Sequence, residues 1–370
     1  MKNDEVRLVV NGKRFEGWLG VSVKLGLNTF ARSFSLTLTR STRDRKEVFY
    51  DVDMKSTIEL FIGRDKVLTG YVMSIDESYD ASSTVLTVAG YGKGVDLVDS
   101  ACPIGSKKSF KRAFLTDIIS EICGPFGVRC VDEVGKRERI DFNFFTDDRI
   151  ADVLSKLSAR YQLLFSDSAE GDLKIARAGS GGEAERLVFG KTILNLAVRR
   201  SASKLFSDWH VIGQGANPAS NREDDANSLI ETSTFPWRKR VSITSQSGDA
   251  TREKLKARAV ALRDFNVAMS REVIVTVQGW RQKSGRLWDV NCFVFLDAPY
   301  VHIQERLLVT EVMFSLGAEG STTTLKLQSP DAFVDTSCSH IQDVAKNEAN
   351  VNLGLVGIGD GVAGGEWTEK

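Results

Sequence analysis

The segment Val290-Asn291-Cys292-Phe293-Val294-Phe295-Leu296 decides the fold class of this chain. Val290, Cys292, Val294 and Leu296 alternate with Phe293 and Phe295. Ala298-Pro299-Tyr300 interrupts this pattern, residues 307–315 resume it, and residues 322–328 return after a turn at 317–320. Apolar alternation with a period of two, closed by Gly and Pro, indicates strands and hairpins. The region from Trp280 to Phe333 is therefore predicted to be β-sheet.

A similar pattern lies near the N-terminus. Val67-Leu68-Thr69-Gly70-Tyr71-Val72-Met73 matches Leu308-Val309-Thr310-Glu311-Val312-Met313, and each segment is followed by a polar turn and a second strand, at 83–88 and 323–327. Upstream, Phe34, Leu36 and Leu38 face one way and Ser35, Thr37 and Thr39 the other. Short strands joined by tight turns favour a sandwich or barrel. We expect one chain that carries two copies of one β unit.

The composition excludes some functions. The 370 residues are 42% hydrophobic and 26% charged, which is ordinary for a globular protein of two to four domains. Lys+Arg and Asp+Glu each total 49, so the formal net charge is zero. Proteins that bind nucleic acid usually have more Lys and Arg than Asp and Glu. Neutrality therefore argues against that role and suits a subunit of an assembly.

Cysteine usage and hydropathy indicate the compartment. The five cysteines, Cys102, Cys123, Cys130, Cys292 and Cys338, form no Cys-x-x-Cys pair, so we expect reduced thiols packed as small hydrophobes. The N-terminus has no apolar signal segment, and no stretch approaches the ~20 apolar residues of a membrane span. The sequence predicts a protein made in a cytoplasm, with no membrane span.

The chain divides into four predicted regions. Residues 1–102 form a first β domain, 103–178 a small α+β domain, 183–335 a second β region, and 336–370 a C-terminal tail. Residues 187–215 either complete the first β domain or begin the second. The second region includes a surface loop at 216–234 and a helix at 249–266. The predicted fold class is mainly β with an α+β insertion.

Two helices are expected in the α+β domain. Ser109 is predicted to cap the first, which ends at Gly124-Pro125, and Thr146 to cap the second. The apolar stripe of the second helix is Ile150, Val153, Leu154, Leu157 and Tyr161. Strands are predicted at 163–166 and 172–176, and Gly179-Ser180-Gly181-Gly182 reads as a flexible linker. In the later helix, capped by Asp249, the inward residues are Leu255, Ala259, Leu262 and Phe265.

The search for catalytic chemistry finds structural interpretations instead. Gly90-Tyr91-Gly92-Lys93-Gly94 lacks the first Gly and the hydroxyl of a P-loop, so it is predicted to be a turn after a strand. The histidines have no second His or Cys at the spacing of metal ligands, and the chain has no Gly-x-Ser-x-Gly motif that would mark a catalytic triad. The candidates assigned to helix ends, strands, loops or the core are His210, His302, His340, Asp147-Asp148 and Glu223-Asp224-Asp225.

The basic and aromatic residues are likewise assigned to packing. Helix 249–266 carries Arg252, Lys254, Lys256, Arg258 and Arg263 without interleaved aromatics, which favours a solvated or intersubunit face over a nucleic-acid site. The tryptophans of the second half are expected to be core or interface anchors: Trp209, Trp237, Trp280 and Trp288. No catalytic, cofactor-binding or metal-binding residue is predicted, and we expect no enzyme.

Four segments, in order, resemble the baseplate hub proteins of Mu-like contractile-tail phages, the tail protein P or 43-kDa tail protein family. They are Val9-Val10-Asn11-Gly12-Lys13-Arg14-Phe15-Glu16-Gly17-Trp18 with Phe34-Ser35-Leu36-Thr37; Val277-Gln278-Gly279-Trp280; Gly285-Arg286-Leu287-Trp288-Asp289-Val290; and Leu307-Leu308-Val309-Thr310-Glu311-Val312 with Ser329-Pro330-Asp331-Ala332-Phe333. The resemblance extends to about residue 335 and leaves out 216–234 and the tail.

The resemblance implies two tail-tube-like β-barrel domains per subunit and a homotrimer with a central channel. Three subunits then present six similar barrels, which adapts a threefold spike to the sixfold tail tube. The expected partners are the central spike protein, the tail tube and other baseplate proteins, and DNA would pass without sequence-specific binding. The protein would lie in the virion, assembled in the host cytoplasm. Two alternatives remain: a hub of a contractile secretion system and a tail-associated cell-wall hydrolase.

Overall fold

The computed structural model of the chain describes residues 4–41, 52–54, 56–79, 83–135, 139–145, 147–161, 163–214, 227–231, 238–247, 252–317 and 320–334. Strands dominate it, as the alternating patterns predict. The N-terminal part consists of β1 (Val6–Val10), β2 (Lys13–Phe15), β3 (Gly20–Gly26), β4 (Ser33–Ser41), β5 (Thr57–Ile62), β6 (Asp65–Tyr79), β7 (Ser83–Gly92) and the short helix α1 (Val95–Asp99).

A small α+β unit follows. It comprises β8 (Ser109–Phe114), α2 (Leu115–Cys123), β9 (Cys130–Asp132), β10 (Arg139–Asn143), α3 (Ile150–Tyr161), β11 (Leu164–Asp167) and β12 (Leu173–Ala176). Its core lies between the two longer helices and the short strands, where Ile118, Ile122, Val153 and Leu157 are fully buried.

The C-terminal part returns to β structure. It contains β13 (Leu187–Val188), β14 (Ile193–Arg200), β15 (Asp208–Gln214), β16 (Asn227–Glu231), β17 (Val241–Ser247), α4 (Arg252–Met269), β18 (Arg271–Gln278), β19 (Phe293–Ala298), β20 (Ile303–Gly317), β21 (Gly320–Gln328) and α5 (Asp331–Val334).

One 13-stranded sheet joins both ends of the chain. Its main path runs β14-β18-β21-β20-β3-β4-β7-β6-β5-β1-β2, with β19 beside β20 and β13 beside β19. The two halves meet where β3 pairs antiparallel with β20, from Val21 opposite Leu316 to Gly26 opposite Glu311. One hydrophobic core, which includes Val23 and Phe314, serves both halves.

The predicted duplication extends over five strands. In the first half the order β5-β6-β7-β4-β3 is antiparallel throughout, and in the second half β19-β20-β21-β18-β14 repeats that order and direction. The long strands β6 and β20 each have 15 residues. β3 and β14 are therefore equivalent strands, as are β6 and β20.

A β-bulge in each long strand fixes the register of the repeat. The bulge of β6 lies between Val72 and Ser74, and that of β20 lies between Val309 and Glu311. Aligning the bulges matches Val72 with Val309. The sequence match of Val72-Met73 with Val312-Met313 is thus wrong by three residues. A bulge adds an unpaired residue and shifts the alternation, so similarity of pattern does not set the register across it.

Separate barrels are not what the described strands form. No ladder among them closes either copy, because the edge of β3 that could close the first copy pairs with β20 of the second copy instead. The segment 187–215 contributes to two sheets. In the main sheet, β13 pairs with β19 and β14 pairs with β18, whereas β15 belongs to a separate three-stranded sheet.

That separate sheet has the order β16-β15-β17 and packs against α4. The inward residues predicted for this helix are confirmed, since Leu255, Ala259, Leu262 and Phe265 are all buried. The loop prediction for 216–234 is wrong over Asn227–Glu231, which forms β16 because it finds a partner in β15. The helix also runs to Met269, beyond the predicted end, and Asp249 lies outside the described residues.

Two local predictions in the α+β unit need correction. Ser109 does not cap a helix: it begins β8, opposite Asn143 of β10, and α2 starts only at Leu115. Long-range pairing with β10 therefore outweighs the local helical spacing. The predicted end of α2 is confirmed by a turn at Gly124-Pro125. The predicted apolar stripe of α3 is confirmed at four residues that are fully buried: Ile150, Val153, Leu154 and Leu157. Thr146 lies outside the described residues.

A buried ion pair joins the α+β unit to the main sheet. Arg32 Nε lies 3.1 Å from Asp167 Oδ1, and the Arg32 backbone N–H donates to Asp167 Oδ2 at 2.7 Å. The guanidinium also donates to the carbonyls of Val67 and Asp167. Burial raises the pKa of the Asp167 carboxyl, and the Arg32 charge with these hydrogen bonds opposes the rise. The pair connects β4 and β6 to β11.

The glycine-rich segment 179–182 is packed rather than a free linker, so this prediction is wrong. The Gly179 N–H donates to Asn291 Oδ1 at 2.8 Å, and the Gly181 N–H donates to the Asn291 carbonyl at 3.0 Å. A Cβ on Gly179 would lie 1.9 Å from the Phe293 ring. The glycines are needed here for close approach to the second half of the sheet.

Replacing Arg32 by Ala should destabilise the fold by ~3–5 kcal/mol, because the Asp167 carboxylate would then be buried without its partner. Chemical denaturation of the purified protein measures the loss. Arg129→Ala is the matched control, since its side chain is 79% exposed and also pairs with an aspartate, Asp172, at 2.7 Å. A loss for Arg32→Ala no larger than for this control would contradict the assigned role.

Gly179→Ala should cost about 1–3 kcal/mol more than Gly182→Ala, because only the former pushes a methyl group into Phe293. The two glycines have φ of 79° and 78°, so both substitutions incur the same left-handed backbone strain, whereas nothing lies within 4 Å of a Cβ at Gly182. Thermal unfolding of both variants isolates the contact. Equal melting temperatures would show that the segment is not packed against Phe293 in solution.

Candidate assembly surfaces

One face of the main sheet is rich in hydroxyl side chains across both repeats. Cross-strand partners place a row of half-buried serine and threonine side chains on it, and we call this surface the hydroxyl face. Its members are Ser22, Ser33, Ser35, Thr37, Thr87, Thr276, Ser315, Thr322 and Thr324. The alternating residues point to the other face and form the core. The Ser35/Thr37 alternation is the sequence signal for this surface.

The repeat is visible on the hydroxyl face itself. Thr37 Oγ1 lies 3.3 Å from Thr87 Oγ1, and Thr276 Oγ1 lies 3.4 Å from Thr324 Oγ1. Alignment of the two bulges makes these pairs equivalent, because it matches β7 with β21 at these threonines and their partners on β4 and β18. Both repeats therefore present the same uncharged chemistry at the same position.

The cations on the hydroxyl face lie beside carboxylates. Lys24 Nζ is 3.0 Å from Glu311 across the β3–β20 junction, and Lys326 Nζ is 2.6 Å from Glu272. Arg199 on β14 lies 3.5 Å from the same glutamate. Solvated pairs of this kind add little stability. Their effect here is electrostatic, because the two glutamates offset part of the positive charge on this face.

The two ends of the tandem repeat each have an open strand edge among the described strands. β14 pairs only with β18, and its exposed side chains include Leu194, which is 58% exposed. β6 pairs with β5 only as far as Tyr71, so its residues 75–78 lack a strand partner on that side. Unpaired N–H and C=O groups on such edges can pair with another chain.

Gly90–Gly94 is a packing element. Gly90 and Gly92 lie within β7 rather than in a turn, and only the end of the segment turns into α1. A Cβ at Gly90 would lie 2.0 Å from the Tyr71 carbonyl oxygen, and one at Gly94 would lie 1.7 Å from that of Phe30. Close backbone approach explains these glycines without a phosphate.

The histidines are not brought together. His210 lies in β15, as predicted, but His302 does not lie in a strand: it is exposed and follows a short 3₁₀ turn with φ of 58°. A left-handed residue is needed there to link the turn to β20. His340 and Glu223-Asp224-Asp225 lie outside the described residues.

The acidic pair before α3 has a structural environment. Asp148 accepts hydrogen bonds from the Phe145 N–H and from Lys156 Nζ, both at 2.9 Å. Burial opposes ionisation, but Lys156 and this N–H together lower the pKa of the Asp148 carboxyl. Asp147 occupies the turn before α3. A lowered pKa disfavours the proton-donor role that an acid catalyst needs.

The tryptophans serve as core residues in two places. Trp280 and Trp288 are buried in the main core, and Trp280 Nε1 donates to the Ser315 carbonyl at 3.1 Å. Trp209 is buried beside α4 instead. Trp237 lies outside the described residues. On α4, Lys256 is exposed and Arg263 pairs with Asp264 at 2.8 Å, while the side chains of Arg252 and Lys254 are not described.

The thiols are poorly suited to nucleophilic chemistry. Burial raises the pKa of Cys102 to about 11 and of Cys123, Cys130 and Cys292 to about 12. Cys338 lies outside the described residues. Across the described ranges no group of three or more His, Cys, Asp or Glu side chains could hold a metal ion. Among the same residues no helix has both the length and the apolar character that crossing a bilayer requires.

A cleft of about 480 Å³ lies between residues 181–185 and 282–292. Its polar groups are engaged with one another: Glu185 pairs with Lys283 at 3.0 Å, and the Glu185 N–H donates to Gln282. The cleft thus holds two loops together and presents no converging set of unpaired reactive groups.

Comparison with known proteins identifies the family. The model for the N-terminal domain of Mu phage baseplate assembly protein GpP-like proteins matches residues 5–92, that for the second domain of baseplate hub protein gp44-like proteins matches 94–177, and that for the fourth domain of GpP matches 251–336. The chain is 30% identical to baseplate hub protein gp44 of Escherichia phage Mu over 344 residues, which cover 90% of this chain and 89% of that protein. The chain belongs to the Mu-type baseplate hub family.

Solved structures share the fold of this hub protein. The 43 kDa tail protein of prophage MuSo2 from Shewanella oneidensis aligns with a TM-score of 0.80 at 24% identity, covering 90% of this chain and 99% of that one. The tail protein of Neisseria meningitidis MC58 gives 0.77 at 16%, covering 90% and 98%. An E. coli type VI secretion component gives 0.53 at 13%, covering 86% and 76%. The protein is a baseplate hub subunit of the phage tail, as the resemblance predicted.

Proposed function

We propose that this hub subunit forms a homotrimeric ring with a central channel, without enzymatic activity. The observation that carries the proposal is the five-strand repeat in one continuous sheet. Three subunits present six equivalent repeats, so a ring with threefold symmetry meets a sixfold tail tube on one side and a threefold spike on the other. The fixed β3–β20 ladder sets the relation between the two repeats of each subunit.

The hydroxyl face is the wall of the channel in this proposal. DNA must pass without being held, and phosphate affinity comes from uncompensated Lys and Arg. Serine and threonine hydroxyls give a hydrated wall without net attraction, because three cations on this face, Lys24, Lys326 and Arg199, are matched by three carboxylates, Glu272, Glu311 and Asp76. Assembly of the trimer takes place in the host cytoplasm, and its partners are the spike, the tail tube and other baseplate proteins.

Likeness to the type VI secretion component supports a second candidate, a hub of a contractile secretion system. That likeness concerns the fold alone, whereas the sequence relationship is to a phage hub protein. The same ring geometry would serve both machines. Reconstitution with a phage tail tube, as opposed to a secretion-system tube, separates the candidates.

The purified protein should have the mass of a trimer by light scattering and show a ring with a hole in electron micrographs. Three copies of the 40.8 kDa chain are expected at micromolar concentration. A stable monomer under these conditions, or a ring with another number of subunits, would contradict the proposal.

Adding arginines to the hydroxyl face should convert the ring into a DNA-binding protein. Ser35→Arg with Thr322→Arg places six new cations on the proposed wall of a trimer, and we expect DNA affinity to rise by at least ~10-fold at low salt and to fall steeply with added salt. Ala202→Arg with Ser284→Arg, at exposed positions off this face, is the matched control. Linear DNA titrated against both rings in a gel shift measures the difference. Equal affinity of the two variants would show that the hydroxyl face does not line the channel.

A further inference from the structure

The internal junction between β3 and β20 defines how one repeat joins the next. The first half of β20 pairs with β19, and residues 311–316 on the same edge pair with β3. Lys24 lies directly opposite Met313 in that ladder, and its ammonium reaches Glu311 at 3.0 Å. A basic residue of the incoming strand thus meets an acidic residue of the long strand.

The repeat has equivalents of both junction strands. Thr37 and Thr276 are equivalent, and their partners are Gly20 on β3 and Asn195 on β14. Lys24 lies four residues after Gly20, and Arg199 lies four residues after Asn195, so Lys24 and Arg199 are equivalent. On the long strands, Val72 and Val309 precede the equivalent bulges, so four residues onward Asp76 corresponds to Met313.

Arg199 of β14 and Asp76 of β6 are both exposed, and each lies on a strand edge that has no partner among the described strands. β14 has β18 on one side only, and the Arg199 side chain is 74% exposed. Residues 75–78 of β6 extend past the end of β5, and Asp76 and Glu77 are exposed. The positions that a repeat uses to join its neighbour inside the chain are therefore left open at the two ends of the tandem.

The charges on the two open edges are complementary. Transferring the register of the internal junction puts Arg199 directly opposite Asp76, with both side chains on the hydroxyl face. Arg200 follows on one strand and Glu77 on the other. Opposite charges directly across an antiparallel pair stabilise it, and like charges destabilise it. The same register puts Ala197 opposite Ser78, and both residues are small and exposed.

We propose that β14 of one subunit pairs antiparallel with residues 75–78 of β6 in a second copy of the chain, with Arg199 opposite Asp76. This junction rests on the proposed ring and specifies how the ring closes. It repeats the β3–β20 ladder between subunits, so all six repeats follow one another through one kind of contact. The sheet of each subunit then continues into the next.

Cysteine cross-linking tests the junction and its register. In Ala197→Cys with Ser78→Cys, oxidation of the purified protein should give covalent trimers on a non-reducing gel, because directly opposed residues bring two Cβ atoms within disulfide range. Each single variant and the oxidised wild type control for the native thiols. Asn195→Cys with Ser78→Cys tests a register slipped by two residues, which keeps both side chains on the hydroxyl face, and it should not cross-link.

The outcomes separate the junction from the ring. A trimer by light scattering without cross-linking in the Ala197/Ser78 variant overturns the junction and leaves the ring standing. Cross-linking only in the Asn195/Ser78 variant overturns the register. A monomer overturns both the ring and the junction.

Charge exchange supplies a second measurement. Arg199→Asp and Asp76→Arg should each weaken the trimer by at least ~10-fold in dissociation constant, because each places like charges across the junction. The combined variant should return to within about threefold of the wild type. Circular dichroism and thermal unfolding show that each variant is folded. Failure of the double exchange to restore a trimer lost in both folded single variants would overturn the pairing of these two residues.

Discussion

The antiparallel ladder between β3 and β20 is the constraint on which the rest of this structure depends. It joins strands almost 300 residues apart in sequence, from Val21 opposite Leu316 onward, and makes two copies of one unit into a single sheet. Val23 and Phe314 are fully buried beside it, so the two repeats share one core and cannot rotate independently. The cost of this arrangement is that neither copy closes on itself through the strands that the structure describes. Among the described strands, each end of the tandem keeps open the edge that the internal junction uses, and the proposed contact between subunits is built on those two edges.

Much of the fold can be predicted from the sequence because it follows from local periodicity. Phe34, Leu36 and Leu38 alternate with serine and threonine, and the stripe from Ile150 to Leu157 has helical spacing; both patterns are buried as predicted. What could not be predicted depends on distant partners. Ser109 carries a good capping side chain, yet it pairs with β10. Residues 227–231 lie in a largely polar stretch, yet they add to β15. The predicted register of the repeat is wrong because the bulges that follow Val72 and Val309 have no local signal in the sequence.

The candidate surfaces divide in the same way. The hydroxyl face follows from alternation, since every second residue of a strand shares a face. The open edges do not, because Arg199 and Asp76 become edge residues only through the order of strands in the sheet. The segment Gly179–Gly182 is a further case that depends on a distant partner. Its composition is that of a linker, but the N–H groups of Gly179 and Gly181 both donate to Asn291, which has a φ of 61°.

Ring assembly makes particular demands on the joints inside the subunit. In a ring, an error in the angle between repeats accumulates at every junction and prevents closure. The proposed ring of six repeats from three chains therefore needs a rigid contact inside each chain. The buried Arg32–Asp167 pair answers a related need, because its directional hydrogen bonds fix how the α+β unit sits on the sheet. Buried charges seldom add stability over an apolar contact of the same size, but they tolerate few alternative arrangements. In this subunit specific contacts of this kind lie in the interior, and the exposed charges of Arg199 and Asp76 lie on the open edges, where the proposed junction would pair them.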